Sequence, residues 1–151
     1  IAGCTGCRFC QEYWDGFHCR IHDDMDQIAA KILAADLIVF ATPVYSWYCT
    51  APMKAMMDRL IYGLCKYYGE EKGPSLMAGK SVATITTCGY RPECGADLWE
   101  EGLKWYCHHA QLEYAGMLSE RFLGYKTVFM DEEKERHARA FAKELCGESG
   151  A

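Results

Sequence analysis

Four stretches of this chain repeat apolar residues at helical spacing, and three short apolar runs lie between them. Met25, Ile28, Ala29, Ile32 and Leu33 form the first apolar face, after Asp24 as N-cap and Gln27 in a capping-box position, and that helix should end near Ala35. Leu37 to Ala41 is continuous and apolar, too short for a helix, and reads as a strand buried on both faces that ends at Pro43. Thr50 then caps a helix with Pro52 in its first turn and Met53, Met56, Met57, Leu60, Ile61 and Leu64 on one stripe. Residues 66–79 form a polar, glycine-bearing connection. A β-rich run from Ser81 to Thr86 follows, then a loop with Gly89, Pro92 and Gly95. Asp97 to Gln111 is helical, with Leu98, Trp99, Leu103 and Tyr106 inward, and Glu113 to Leu118 is a third strand. Asp131 caps a last helix whose Ala138, Phe141, Ala142 and Leu145 face inward and which Gly147 stops, leaving residues 148–151 as a tail. Residues 1–22 have no period.

Alternation of helix and strand implies βαβ crossovers, a parallel sheet and helices on both of its faces. Three strands are few for four helices, so a strand–helix–strand unit before residue 1 is expected to complete the domain. In such sheets ligands bind beyond the carboxyl ends of the strands. Two loops lie there, Thr42 to Thr50 ("TPVYSWYCT") and Thr86 to Gly95 ("TTCGYRPECG"). Tyr45, Trp47 and Tyr90 can flank a flat ring, with Thr86, Thr87 and the amides near Cys88 and Gly89 on its polar edge. The pattern fits a planar heteroaromatic cofactor and equally fits loop aromatics that cover a core edge.

Composition narrows the field. The 151 residues are one domain's worth, and a net charge of −5 argues against a nucleic-acid partner. No apolar run approaches the roughly 18 residues of a membrane span, and no secretory signal pattern is present. Ten cysteines are many. A secreted disulfide scaffold is one reading, but the long helical periods favour free thiols in a reducing cytosol, hence a cytoplasmic setting. Cys4, Cys7 and Cys10 are three residues apart and Cys19 follows. That spacing admits an iron–sulfur cubane, a zinc ion held with or without His18 or His22, or a metal-free loop. The other six cysteines have no ligand spacing; Cys65, Cys107 and Cys146 read as packing residues, and Cys88 and Cys94 border the ring-binding loops. His108 and His109 read as a solvated helix end, because adjacent helical residues point apart. Met53, Met56 and Met57 read as core or dimer-interface filler.

The segment "ADLIVFATPVYSWYCTAPMKAMMDR" resembles the third-strand region of flavodoxin-like NAD(P)H-dependent FMN reductases and of the related iron–sulfur flavoproteins, with Lys54, Asp58 and Arg59 matching the end of its helix pattern. "GKSVATITTCGY" is similar to their fourth strand and flavin-side loop, and the cysteine-rich loop before "DDM" to the segment between second strand and second helix. The resemblance implies a flavodoxin-like doubly wound sheet over residues 1–147, its first strand–helix–strand unit absent from this sequence. It implies FMN as cofactor and NAD(P)H as cosubstrate. Pro43, Val44, Tyr45, Ser46 and Trp47 correspond to the loop along the flavin ring, and Thr87, Cys88, Gly89 and Tyr90 to the second flavin-side loop. It implies a 4Fe-4S cluster on Cys4, Cys7, Cys10 and Cys19, although the eight-residue gap before Cys19 is longer than the family usually shows. No residue is required as a catalytic acid or base, because the flavin carries the chemistry. Asp58 and Arg59 are expected to pair with each other at a helix end or subunit contact. The family's phosphate loop after the first strand has no counterpart here and is expected to precede Ile1. The acceptor would be a quinone, a flavin or a protein, and the methionine-rich helix implies a homodimer or homotetramer; a non-catalytic flavin- or zinc-binding module is the other reading.

Overall fold

A computed structural model describes residues 1–66 and 73–147. Residues 67–72 of the expected connection and the expected tail, residues 148–151, lie outside the described residues. Helix α1 (Met25–Ala34) leads to strand β1 (Leu37–Pro43), α2 (Ala51–Leu64), β2 (Ser81–Cys88), a one-turn α3 (Pro92–Gly95), α4 (Asp97–Ala110), β3 (Glu113–Arg121) and α5 (Glu132–Leu145). The strands are parallel in the order β1-β2-β3. The expected order of four long helices and three strands is therefore what forms. Residues 1–22 are irregular apart from a 3-10 turn at Phe9–Glu12.

Strand pairing fixes the two faces of the sheet, because partners across a parallel ladder point the same way. Ile38, Phe40 and Thr42 align with Val82, Thr84 and Thr86. With Met25, Ala29, Met57, Leu60, Trp99 and Leu103 their apolar members build the main core, so α1, α2 and α4 share this face. Each fully buried large apolar side chain contributes roughly 1.5–3 kcal/mol. The two buried threonines of β2 do not cost that core a lost hydrogen bond. Thr84 donates to the Phe40 carbonyl at 2.8 Å and accepts from the Trp99 indole at 3.1 Å, and Thr86 donates to the Thr42 carbonyl at 2.6 Å.

Among the described residues the opposite face carries α5 alone. There Gly116, at φ 118°, lets the Phe141 ring approach β3, and His137 of α5 bonds Glu120 at 2.8 Å. Over β1 and β2 the same face is uncovered, and Val39 and Ile85 are 41% and 40% exposed. The strand expected to be buried on both faces is thus buried on one: β1 alternates buried and exposed positions along its whole length. For the same reason Ala138 and Ala142 are exposed and only Phe141 of α5 is buried. Leu98, expected inward, is exposed, since the core side of α4 is the row of Trp99, Leu103, Cys107 and Ala110.

Two caps also differ from expectation. Asp24 occupies the N-cap of α1 as expected but makes no side-chain cap bond; the Asp23 carboxylate accepts the Met25 amide at 3.0 Å instead, fixed from outside the helix by Arg59 and the Ala2 amide. Thr50 occupies the N-cap of α2 without a side-chain cap; its amide donates instead to the Thr42 hydroxyl at 3.2 Å. At α5 the expected cap forms, with the Asp131 carboxylate accepting the Lys134 amide at 2.8 Å, and Gly147 takes the left-handed conformation after its last turn.

Candidate functional site

The two loops expected to hold a flat ring meet at the carboxyl rim of the sheet. Pro43 pairs with Thr87 at the end of the β1–β2 ladder, and the Val44 amide donates to the Thr87 carbonyl at 2.8 Å. The first loop then reverses. Tyr45 and Tyr48 exchange backbone hydrogen bonds of 2.9 and 3.1 Å around Ser46 and Trp47, whose φ angles are 51° and 64°. Two non-glycine residues in the left-handed region are strained by roughly 1–3 kcal/mol each, and such strain persists only where its surroundings impose it. Tyr48 imposes it here. Its ring lies edge-on to Trp99 at 5.4 Å and fills the space over Gly102, where a Cβ would come within 2.9 Å of the ring. The turn is thereby tied to α4, and Trp47 is pushed out over the second loop.

Trp47 and Tyr90 stack at 5.7 Å with an interplanar angle of 15°, and the Trp47 indole donates to the Cys94 carbonyl at 3.1 Å. Tyr45, Trp47 and Tyr90 remain 65%, 45% and 61% exposed. Gly89 beside them faces open space. Cys88 is buried, its thiol donating to the Tyr90 carbonyl at 3.3 Å. Thr86, expected on the polar edge of a ligand, is spent on the Thr42 carbonyl inside the core; Thr87, on the other face of the strand, is half-buried. An exposed aromatic pair with a bare glycine at its side suits a flat apolar ligand, so the ring-side residues fit an isoalloxazine. The sequence reading missed Tyr48; the signal for it was Gly102 in the middle of α4, a position where something large had to come close.

The cysteine loop forms a second site. Cys4, Cys7, Cys10 and Cys19 all line one cavity of about 790 Å³, together with Phe17, Arg59 and Gly63. One face of α2 holds the loop at successive turns. The Arg59 guanidinium donates to both Asp23 oxygens at 2.7 and 2.8 Å, to the Ile21 carbonyl at 2.6 Å and to the Ala2 carbonyl at 3.3 Å. Gly63 makes room for the Phe17 ring, which a Cβ there would meet at 2.5 Å. The Cys10 thiol donates to the Tyr62 carbonyl at 3.2 Å, Gln11 donates to the Tyr62 and Cys65 carbonyls, and buried Lys66 donates to the Cys10 carbonyl at 2.7 Å. Arg59 and Tyr62/Gly63 lie three to four residues apart and share one stripe of α2, and Lys66 follows just beyond the helix end. The expected pair of Asp58 with Arg59 does not form: Asp58 pairs with Lys54 and Arg59 with Asp23.

Electrostatics separate the thiols. The Phe9 amide holds the Cys7 thiol below its ordinary value, whereas burial raises Cys10. Burial pushes Cys49 and Cys107 up to about 11, and both sit in the core. The Ala2 amide first and Arg59 second hold Asp23 far below the usual carboxylate range. Cys146, expected to pack, is exposed after the last turn of α5. All ten cysteines are free thiols. His18 is taken up by Asp15 and the Tyr13 ring, and His22 by Asp26. Among the described residues no three His, Cys, Asp or Glu side chains are gathered at metal-binding distances. In donor type the set nonetheless fits a soft metal: four thiols line one cavity, with Glu12 of the loop and Asp58 of α2 also on its wall.

Parallel β1-β2-β3 order, helices on either side and aromatic loops at the carboxyl rim define an open α/β domain. Residues 6–146 match the flavodoxin-like fold family, and the chain belongs to it. It is 43% identical over 61 residues to an iron–sulfur flavoprotein of Methanosarcina thermophila, covering 40% of this chain and 30% of the relative. It is 31% identical over 74 residues to an FMN-dependent NADH:quinone oxidoreductase of Thiobacillus denitrificans, covering 48% and 36%. The matched stretch thus spans about a third of the length of these curated relatives. Among solved structures, an NADPH-quinone reductase from P. pentosaceus superposes with a TM-score of 0.60 at 14% identity over 80% of this chain and 73% of that one. An FMN-dependent NADH-azoreductase from Bacillus anthracis, in complex with FMN, gives 0.59 at 18% over 82% and 60%. These two likenesses establish the fold. No helix among the described residues is long and apolar enough to cross a membrane.

Proposed function

We propose that this chain forms the flavin-side part of an FMN-dependent oxidoreductase that takes electrons from NADH or NADPH and delivers them to a quinone, a flavin or a protein. The observation that carries this reading is the Trp47–Tyr90 stack at the carboxyl rim, exposed and flanked by the open position at Gly89. The names of the relatives, an iron–sulfur flavoprotein and an FMN-dependent NADH:quinone oxidoreductase, support it. FMN, when bound, supplies hydride acceptance at its own ring. Pro43 to Trp47 and Thr87 to Tyr90 are the residues that would hold it. Trp47 and Tyr90 offer it an apolar surface, Tyr48 keeps that surface in place through Gly102, and no side chain at the rim is needed as acid or base. Steady-state oxidation of NADH and NADPH with a soluble quinone tests the reading. Turnover that falls up to about tenfold when Tyr90 becomes Ala, the loss of as much as roughly 1.4 kcal/mol of aromatic contact, is expected; absence of turnover with quinone, free flavin and protein acceptors alike would refute it.

A second reading has its own observation, the four thiols on one cavity wall. Cys4, Cys7, Cys10 and Cys19 would hold a 4Fe-4S cluster or another soft metal, which when bound supplies one-electron transfer. Self-association belongs to the proposal as well. Met53 and Met56 on α2 are only half-buried, so light scattering should return a dimer or tetramer mass, and a monomer would contradict it.

A further inference from the structure

We infer that Arg59 is the clasp of the cysteine loop: a buried positioning residue that holds both ends of the loop on α2 and so keeps its thiols facing one cavity. The inference rests on the second reading above, in which that loop takes a soft metal. Arg59 is 2% exposed, on the buried side of α2. Its Nη1 reaches Ala2, two residues before Cys4, and Asp23, four residues after Cys19; its Nη2 reaches Ile21. Asp23 completes the closure, accepting the Ala2 amide at 2.8 Å while capping α1 through Met25. One side chain therefore ties the start of the loop, its end and the following helix to a single point. Joining chain ends about twenty residues apart costs conformational entropy that some fixed contact must offset, and the loop has no regular structure of its own beyond one 3-10 turn.

A second observation turns the clasp toward a ligand. Arg59 Nε is buried and has no hydrogen-bond partner among the described residues, while Nη1 holds Ala2 and Asp23 and Nη2 holds Ile21. Arg59 lines the thiol cavity, with Cys19 close enough to interact with its charge. An unpaired buried donor is costly. Thiolate charge on the cavity that Arg59 lines offsets that cost, and thiols lose their protons when they bind a cation. Lys66, 1% exposed and bonded to the Cys10 carbonyl, brings a second buried cation to the same loop in a chain of net charge −5. Two buried cations, Arg59 on α2 and Lys66 just beyond its end, thus hold the loop and favour negative charge on it.

The guanidinium fork is what the clasp needs, because one ammonium cannot serve two carbonyls and a carboxylate in these directions. The test is a titration of the reduced full chain with Cd²⁺, followed by thiolate-to-metal absorbance, with the rate of thiol modification by a disulfide reagent measured in parallel. Arg59→Gln and Arg59→Lys are both expected to weaken Cd²⁺ binding by about 10–100-fold, the usual effect of losing an outer-shell partner, and to speed modification of the loop thiols. Asp23→Asn, which keeps the guanidinium but loosens its grip, should shift both readouts the same way by less and covers the case in which the Arg59 variants do not fold. FMN binding at the rim should be unchanged in all three. Wild-type affinity and thiol reactivity in Arg59→Gln, or full recovery in Arg59→Lys, would overturn the clasp while leaving the metal reading intact. A wild-type chain that binds no Cd²⁺ would remove the metal reading and the inference with it, and leaves the flavin reading untouched.

Discussion

Burial divides the cysteines into two chemical populations. Cys4 and Cys7 are exposed at the cavity mouth, whereas Cys49, Cys65, Cys88 and Cys107 are buried. For Cys49 and Cys107 burial raises the folded-state value to about 11, so the native chain keeps a proton there that the unfolded chain releases near 8.5. The folded state binds the extra proton, so this contribution is complete below about pH 8.5 and is lost as pH rises toward 11. Denaturant titrations are therefore expected to show stability falling between these limits, and Cys107→Ala should flatten part of that fall. An unchanged slope would mean that the thiol is not held neutral by the core. Residue chemistry was only partly legible beforehand. Four thiols with ligand spacing and three rim aromatics could be picked out by type and position. Arg59 could not, because an arginine after Asp58 reads as its partner until the helix turns the two about 100° apart.

At the scale of elements, a helix face can be committed to a loop as fully as to a core. Helix α2 packs Met57, Leu60 and Leu64 against the sheet and turns Arg59 and Gly63 to the cysteine loop. Glycine within a helix costs about 0.5–1 kcal/mol relative to alanine. Here it is kept because Phe17 occupies the place of its missing side chain. Gly63→Ala should therefore destabilise the chain, by roughly 1–3 kcal/mol of overpacking, where an ordinary helix would gain stability, and thiol modification should accelerate as Phe17 is displaced. Equal or higher stability with unchanged thiol rates would contradict this. Helix and strand periods were readable because each follows from one repeating geometry. The failures share a cause too: Leu98, Ala138 and Ala142 are apolar, and their exposure depends on which neighbouring layer is present, which a local pattern does not encode.

At the scale of the molecule, the three-stranded sheet is an asymmetric platform. One face is closed by α1, α2 and α4; the other bears α5 over β3 and leaves Val39, Ala41 and Ile85 uncovered. Both candidate sites adjoin the closed face, the aromatic rim at the carboxyl ends of β1 and β2 and the cysteine cavity along α2. The alternation of elements made the parallel sheet and its ligand-binding edge readable from sequence, since right-handed crossovers leave few other arrangements. The depth of burial on each face was not readable. The central claim is that the stacked rim aromatics form the flavin surface. Its most direct test is an FMN titration of the anaerobically purified full chain and of Trp47→Gly, followed by flavin fluorescence and visible absorbance. Glycine accepts the positive φ at that position, so the turn survives while the ring is removed. Saturable binding by the wild type, weakened about tenfold in Trp47→Gly by loss of the aromatic contact, is the predicted result; equal affinity in the two proteins, or no binding by either, would contradict the account.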